Sequence, residues 1–300
     1  MNGFKRFYNA SMINKLLVIN TGIYLLSLIV YLICGSEYFV DWLGTQPTFS
    51  RLVFKIWTPI TYMFVHVDFM HLLGNMLWLY FMGVIFMTYF NNKQVLGLYL
   101  LGGLSGALLY VATYSILSAT GGSSLMGPCI GASASVTAIV IAVCVYQPEM
   151  EIRIFGVIPM TLKWLGLIYI GYDILQMISG SNTGGHLTHL GGAVAGAMFG
   201  MEIRNGKDIT VWINKIIDKI VVLWPYGVDS RKSNMHISYK NTGQSTSGDT
   251  SARNMSDSDY NKRKADDQKR IDEILDKISK SGYNNLTKEE KEFLFKASKK

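Results

Sequence analysis

Three hundred residues, 49% of them hydrophobic and only 16% charged, exceed the apolar content of an ordinary soluble domain, and the apolar residues are concentrated before residue 204. The formal charge of +7 lies largely beside the apolar runs and otherwise mixes with acids in the last third, so it reads as positive-inside placement and not as a nucleic-acid-binding surface. Cys34, Cys129 and Cys144 form no CxxC pair, which leaves neither a disulfide framework nor a thiolate metal site.

The pattern predicts a polytopic membrane protein with a soluble tail. Lys5, Arg6 and Lys15 place the N-terminus in the cytoplasm, and the first span, roughly 13–33, runs outward. That run is longer than a signal-peptide core and is followed by no small-residue cleavage site, so it is kept as a span. The stretch 34–59 holds Tyr38, Phe39, Trp42, Phe54 and Trp57 with few charges and is expected to lie in the membrane interface. A second span begins near 64–71 and ends at Tyr89, before Asn91-Asn92-Lys93. The third, 95–117, carries Gly102-Gly103-Leu104-Ser105-Gly106, small residues suited to close helix packing.

A Gly/Ser-rich loop, 118–130, leads to the fourth span, Ser133 to Tyr146. A helix of that length covers about 21 Å at about 1.5 Å per residue, against a hydrocarbon core about 30 Å thick. One end must therefore lie inside the membrane. By the order of the spans this is the serine end, on the outer side, where a polar group is tolerated only beside protein or a water-filled cavity. A fifth span, about 157–178, includes Lys163 near its start and Asp173 near its end; the acid is read as wet or as making a structural hydrogen bond. The sixth, 186–201, stops at Arg204-Asn205-Gly206-Lys207.

Beyond Arg204 the character changes. Residues 208–224 have helical apolar spacing with Lys215 and Lys219 between, the pattern of an amphipathic helix on the inner membrane surface. Residues 229–260, rich in Ser, Asn, Thr and Gly, read as a disordered linker. Two short helices, 262–280 and 286–297, complete the tail, with Thr287 and Glu290 spaced as a capping box. The expected divisions are thus 1–203, a transmembrane domain; 204–228, a membrane-surface segment; 229–260, the linker; and 261–300, a helical cytoplasmic tail.

Four of the five histidines, His66, His71, His186 and His189, lie at the starts of spans two and six, at the depth of Ser133. One histidine at a membrane boundary is most often an interfacial or capping residue. Several at one level, beside a serine in a short helix, point to chemistry. A serine hydroxyl attacks a carbonyl when a neutral imidazole takes its proton. The resulting oxyanion needs donors, which Asn75, a second histidine and a free backbone N–H at a helix N-terminus supply. His71 and Asn75, four residues apart, share one helix face. This inventory for acyl transfer needs no Asp, so a dyad is expected in preference to a triad.

Gly131-Ala132-Ser133, His66 and His71 followed by Asn75, and His186-Leu187-Thr188-His189-Leu190-Gly191-Gly192 with Gly196 together resemble the signatures of rhomboid intramembrane serine proteases, over roughly residues 10–203. The resemblance, to the bacterial type with a C-terminal cytoplasmic extension, implies an all-α bundle of six transmembrane helices with a short central fourth helix. It implies Ser133 as nucleophile, His189 as base, and His71, Asn75 and the Ser133 amide as the oxyanion hole. Gly192 and Gly196 match the face on which helices six and four pack, while His66, His186 and Gly131 match structural or supporting positions.

Three positions depart from the usual pattern: Ala134 stands for a glycine, Thr137 for an aromatic that stacks under the histidine, and Thr58 for an arginine after Trp57.

The implied activity is a serine endopeptidase, without metal or cofactor, that cuts transmembrane segments of other proteins near the extracytoplasmic face. Its implied place is the cell (cytoplasmic) membrane as a multi-pass protein with both termini in the cytoplasm, its partners being transmembrane substrates and the lipid bilayer, with no nucleic acid. A catalytically inactive rhomboid-like binding or chaperone protein is the alternative. A metal site or transporter built from the four histidines lacks the HExxH-type spacing such a site would show.

Overall fold

The computed structural model describes residues 10–34, 37–121, 127–154, 156–180 and 182–223, and within the tail residues 273, 274, 276–278, 286, 287, 289–291 and 293. Lys5, Arg6, the linker 229–260 and most of both expected tail helices lie outside the described residues. The chain divides into two compact units, Met1–Ser230 and Arg231–Lys300.

In the first unit the long helices are α1 (Met12–Cys34), α2 (Phe69–Tyr89), α3 (Asn92–Ala119), α4 (Ser133–Tyr146), α5 (Leu162–Ile178) and α6 (Thr183–Arg204), followed by α7 (Val211–Leu223). Segments Met12–Ile33, Phe69–Tyr89 and Asn92–Ala119 are long and apolar enough to cross a membrane, and Ser133–Tyr146 is a shorter apolar helix. This is an all-α polytopic membrane fold. Helix α6 is less apolar because Gly184, Gly185, Gly191, Gly192, Gly196 and Gly200 and two histidines occupy it. Between α1 and α2 the described residues form short helices at Glu37–Leu43, Phe49–Leu52 and Thr58–Thr61, the last running into a 3-10 turn at Tyr62–Phe64. There Trp42 and Trp57 stack with centroids 6.1 Å apart, and the Trp57 indole N–H donates to the Trp42 carbonyl.

The fifth helix starts later than the sequence suggested. Residues Glu151–Ile154 and Ile158–Thr161 form an antiparallel hairpin, β1 and β2, with Gly156 at φ +74° in its turn. The polar–apolar alternation of Glu151-Ile152-Arg153-Ile154 is the period-two signal of a strand, hidden among helical patterns.

Side-chain caps open α2 and α3. Asp68 Oδ1 accepts from the His71 N–H at 2.7 Å and opens α2. Asn91 and Gln94 make a reciprocal capping box at α3.

Helix α4 is the core of the unit, with every residue from Ala134 to Cys144 buried. It is enclosed by α2, α3, α5 and α6. A Cβ placed on Gly192 or Gly196 of α6 would collide with the carbonyl oxygen of Ala134 or Ala138, and one on Gly102 of α3 with the Ala138 methyl. One on Gly106 would lie 2.7 Å from the Ala134 methyl. Lipid and apolar side chains are equally greasy, so such backbone approach, and not a hydrophobic drive, holds membrane helices together. The extra methyl of Ala134 is accommodated by the bare glycine opposite.

Buried polar groups pair across helices: the Tyr99 hydroxyl donates to the Met63 carbonyl at 2.9 Å and accepts from Asn20 Nδ2 at 3.2 Å, and the Tyr62 hydroxyl donates to the Gly103 carbonyl at 2.7 Å.

Helix α7 packs on the start of α3, where Gln94 donates to Asp208 and Lys93 pairs with Asp218 at 2.7 Å. Its Trp212, Ile216 and Ile220 are exposed along one stripe. In the second unit the Thr287 N–H donates to Glu290 and the Glu290 N–H to the Thr287 hydroxyl, while Lys277 pairs with Glu290 at 2.8 Å.

Candidate active site

Ser133 is the first residue of α4, so its own N–H lies in the turn whose amides have no intrahelical acceptor. The approach to it is fixed by Gly131, at φ +121°, whose N–H donates to the Tyr62 carbonyl at 2.9 Å. A side chain at 131 would be strained by that φ and would lie 2.7 Å from the His71 ring. The same Cβ position is 3.7 Å from Ser133 Oγ, so the imidazole of His71 and the serine hydroxyl flank one glycine.

A cavity of about 690 Å³ is lined by Ser133, His71, Asn75 and His189, from α4, α2 and α6. Met70, Trp78, Val136, Tyr169 and Tyr172 supply much of its apolar wall. The capped start of α2 sets the height of His71, and Asn75 follows one turn below, its Nδ2 donating to the His71 carbonyl at 2.9 Å. That bond uses one of the two amide hydrogens and leaves the other available. The backbone contacts of Gly192 and Gly196 press α6 against α4 directly below His189.

The supporting residues divide. His66 is fully buried; its Nε2 accepts from the Ala132 N–H at 3.3 Å and its ring meets that of His71 edge-on at 5.1 Å. His186 lies away from the cavity lining, its Nδ1 2.6 Å from Oδ1 of Asp173. Thr137 engages the Tyr169 hydroxyl at 3.1 Å.

Asp173 is the residue whose surroundings the sequence left unread. It is 3% exposed, so it is not wet, and its Oδ1 lies 2.9 Å from Nδ1 of His189 as well as 2.6 Å from Nδ1 of His186. Its Oδ2 is buried and has no hydrogen-bond partner among the described residues. The only cue in the sequence is an acid within an apolar span, a costly placement that calls for a partner but does not say which. Among the described residues Asp173, His186 and His189 also bring three potential ligand atoms within 4.8 Å of one another. Both ring nitrogens are directed at the same carboxylate oxygen, which is the geometry of two hydrogen bonds and not of an ion held between separate ligands.

The sequence model of the rhomboid domain matches residues 53–205, and that of a family of unknown function (DUF6576) matches residues 256–300. The chain is 32% identical over 161 residues to RHOMBOID-like protein 12, mitochondrial, of Arabidopsis thaliana, which covers 51% of this chain and 48% of that protein. It is 28% identical over 170 residues to Rhomboid-like protein 16, chloroplastic, also of Arabidopsis thaliana, covering 53% of this chain and 52% of that protein. Similarity to Presenilin-associated rhomboid-like protein A, mitochondrial, of Danio rerio reaches 30% over 163 residues, covering 54% of this chain and 39% of that protein. The chain therefore spans about half the length, or less, of these curated relatives. The domain match takes in α2 to α6 and the whole lining of the cavity: this chain belongs to the rhomboid family.

Proposed function

We propose that the chain is an intramembrane serine endopeptidase that cleaves transmembrane segments of other membrane proteins, with Ser133 as nucleophile and His189 as general base. The observation that carries the reading is one cavity lined by Ser133, His189, His71 and Asn75. Its lining includes aromatic and aliphatic side chains, Met70, Trp78, Val136, Tyr169 and Tyr172, suited to an unwound apolar peptide.

In this reading the Ser133 proton passes to Nε2 of His189 as Oγ bonds to the scissile carbonyl carbon. The oxyanion receives hydrogen bonds from Asn75 Nδ2, the His71 ring and the Ser133 N–H. Collapse of the tetrahedral intermediate breaks the C–N bond, and His189 returns its proton to the leaving amine. A water then repeats the sequence and releases the acyl group. No step uses a metal or cofactor.

The proposed divisions are 1–203 for the peptidase, 204–228 for a segment lying on the membrane with the stripe Trp212, Ile216 and Ile220 toward lipid, 229–260 for a linker and 261–300 for the cytoplasmic tail. The flanking charges support an orientation with both termini on the cytoplasmic side and the cavity opening to the other, and the cell membrane is the proposed location. Two of the relatives bear the word mitochondrial in their names; fractionation of the source cell tests the choice of membrane.

The test of function is labelling of the detergent-solubilised protein with a fluorophosphonate probe, which reacts with an activated serine. Wild type is expected to label, and Ser133→Ala and His189→Ala are expected not to. Absence of labelling in folded wild type would overturn the peptidase reading in favour of a binding protein.

A further inference from the structure

We propose that Asp173 is a positioning residue for His189, fixing through Nδ1 the tautomer and the ring orientation that leave Nε2 free for the Ser133 proton. The inference rests on the peptidase reading above and adds a third group to the dyad.

An ionised carboxylate only accepts hydrogen bonds, so an imidazole nitrogen 2.9 Å from Asp173 Oδ1 must carry its proton there. Neutral His189 then has its lone pair on Nε2, the form a base needs. With the opposite tautomer Nε2 would be a donor and could take no proton from Ser133. The carboxylate also faces the imidazolium that forms when His189 is protonated, and an acid placed against Nδ1 stabilises that cation without itself taking the proton.

A second histidine shares the carboxylate. His186 Nδ1 approaches the same Oδ1 at 2.6 Å, so one oxygen on α5 holds two rings one turn apart on α6, their centroids 5.4 Å from each other. His186 is buried behind the cavity lining, whereas His189 is part of it. Asp173 thus ties α5 to α6 through one ring and aims the other. A buried charge inside a membrane protein persists only when paired, and these two N–H groups are the partners it has among the described residues.

Other groups facing this cluster are His71 from α2, Tyr169 and Tyr172 from α5, and Ser133 from α4. None of the four stands within hydrogen-bond distance of Nδ1 of His189 to replace the carboxylate.

The experiment measures the rate of fluorophosphonate labelling against pH, together with thermal unfolding, for full-length wild type, Asp173→Asn, Asp173→Glu, His186→Ala and Ser133→Ala. Asn keeps the volume of Asp and one acceptor oxygen, so a purely structural tie would survive it. The expected result is a loss of rate on the order of 10²–10⁴-fold for Asp173→Asn, by the precedent of triad carboxylates. It should come with a displaced pH profile and little loss of thermal stability, while Asp173→Glu recovers part of the rate. His186→Ala, which removes only the other donor, should keep most of the wild-type rate and its profile.

Wild-type rate and profile in Asp173→Asn, with Ser133→Ala unlabelled, would overturn the positioning role and leave the peptidase reading standing. Failure of wild type itself to label would overturn the peptidase reading. Should Asp173→Asn not fold, the comparison of Asp173→Glu with His186→Ala decides. Rate losses in both that follow their losses of stability, with unchanged profiles, would make Asp173 a structural tie alone.

Discussion

Gly192 of α6 faces the carbonyl oxygen of Ala134 so closely that no side chain fits between them. The obstacle is backbone at the start of α4 and cannot rotate away. Gly192→Ala is therefore expected to push α6 from α4, to cost at least about 1–3 kcal/mol as overpacking does, and to carry His189 away from Ser133. Thermal unfolding in detergent should show a lowered midpoint and probe labelling should fall with it. Gly22→Ala in α1 is the control: nothing lies within 4 Å of the added methyl, and removal of glycine flexibility should leave the midpoint unchanged or raise it by the equivalent of about 0.5–1 kcal/mol.

Removing the side-chain donors is expected to slow chemistry without unfolding the protein. Asn75→Ala should reduce the rate of cleavage of a transmembrane substrate by on the order of 10²–10³-fold, as loss of one oxyanion donor does elsewhere. His71→Ala should act in the same direction. Unaltered rates in both variants would remove these residues from the oxyanion hole.

The buried pair of Tyr99 with Asn20 and the Met63 carbonyl should matter to stability alone. Tyr99→Phe removes a hydroxyl that serves two partners and is expected to cost about 1–2 kcal/mol, leaving a buried carbonyl without its donor. The check is a lowered unfolding midpoint at an unchanged labelling rate, since no residue of α3 lines the cavity.

Asp68→Ala deletes the cap that opens α2. A loss of about 1 kcal/mol is expected for an N-cap, with a larger effect on the rate of cleavage than on stability, because the capped N–H belongs to His71.

Extended dialysis against a chelator should leave probe labelling unchanged, because Asp173 holds His186 and His189 through hydrogen bonds. Loss of labelling that zinc restores would show that the three side chains ligate an ion.

Much of this was legible in the sequence because the membrane simplifies the reading. Apolar runs gave the helices to within a few residues, and the shortness of Ser133–Tyr146 singled out α4, since length against bilayer thickness is a strong constraint. The hairpin at Glu151–Thr161 was missed because four-residue strands between spans resemble the frayed start of a helix. The pairing of Asp173 with two histidines was missed for a different reason. How α5 and α6 face one another follows from how each seats on α4, through Gly166 on Cys144 and through Gly192 and Gly196 on Ala134 and Ala138, and not from the periodicity of either helix. The role of Ala134 illustrates the same point, since its methyl is acceptable only because Gly106 stands opposite on α3.

No residue of α4 from Ala134 to Cys144 reaches the surface, whereas α1 and α5 turn Leu25, Leu26, Ile29, Leu167, Ile168 and Leu175 outward. The depth at which Ser133 sits is thus a property of the protein and not of the surrounding lipid. A thicker or thinner bilayer can tilt the outer helices, but the serine is gauged from Gly102, Gly192 and Gly196. In effect the molecule carries its own ruler, and the level of the cavity is measured from inside the bundle.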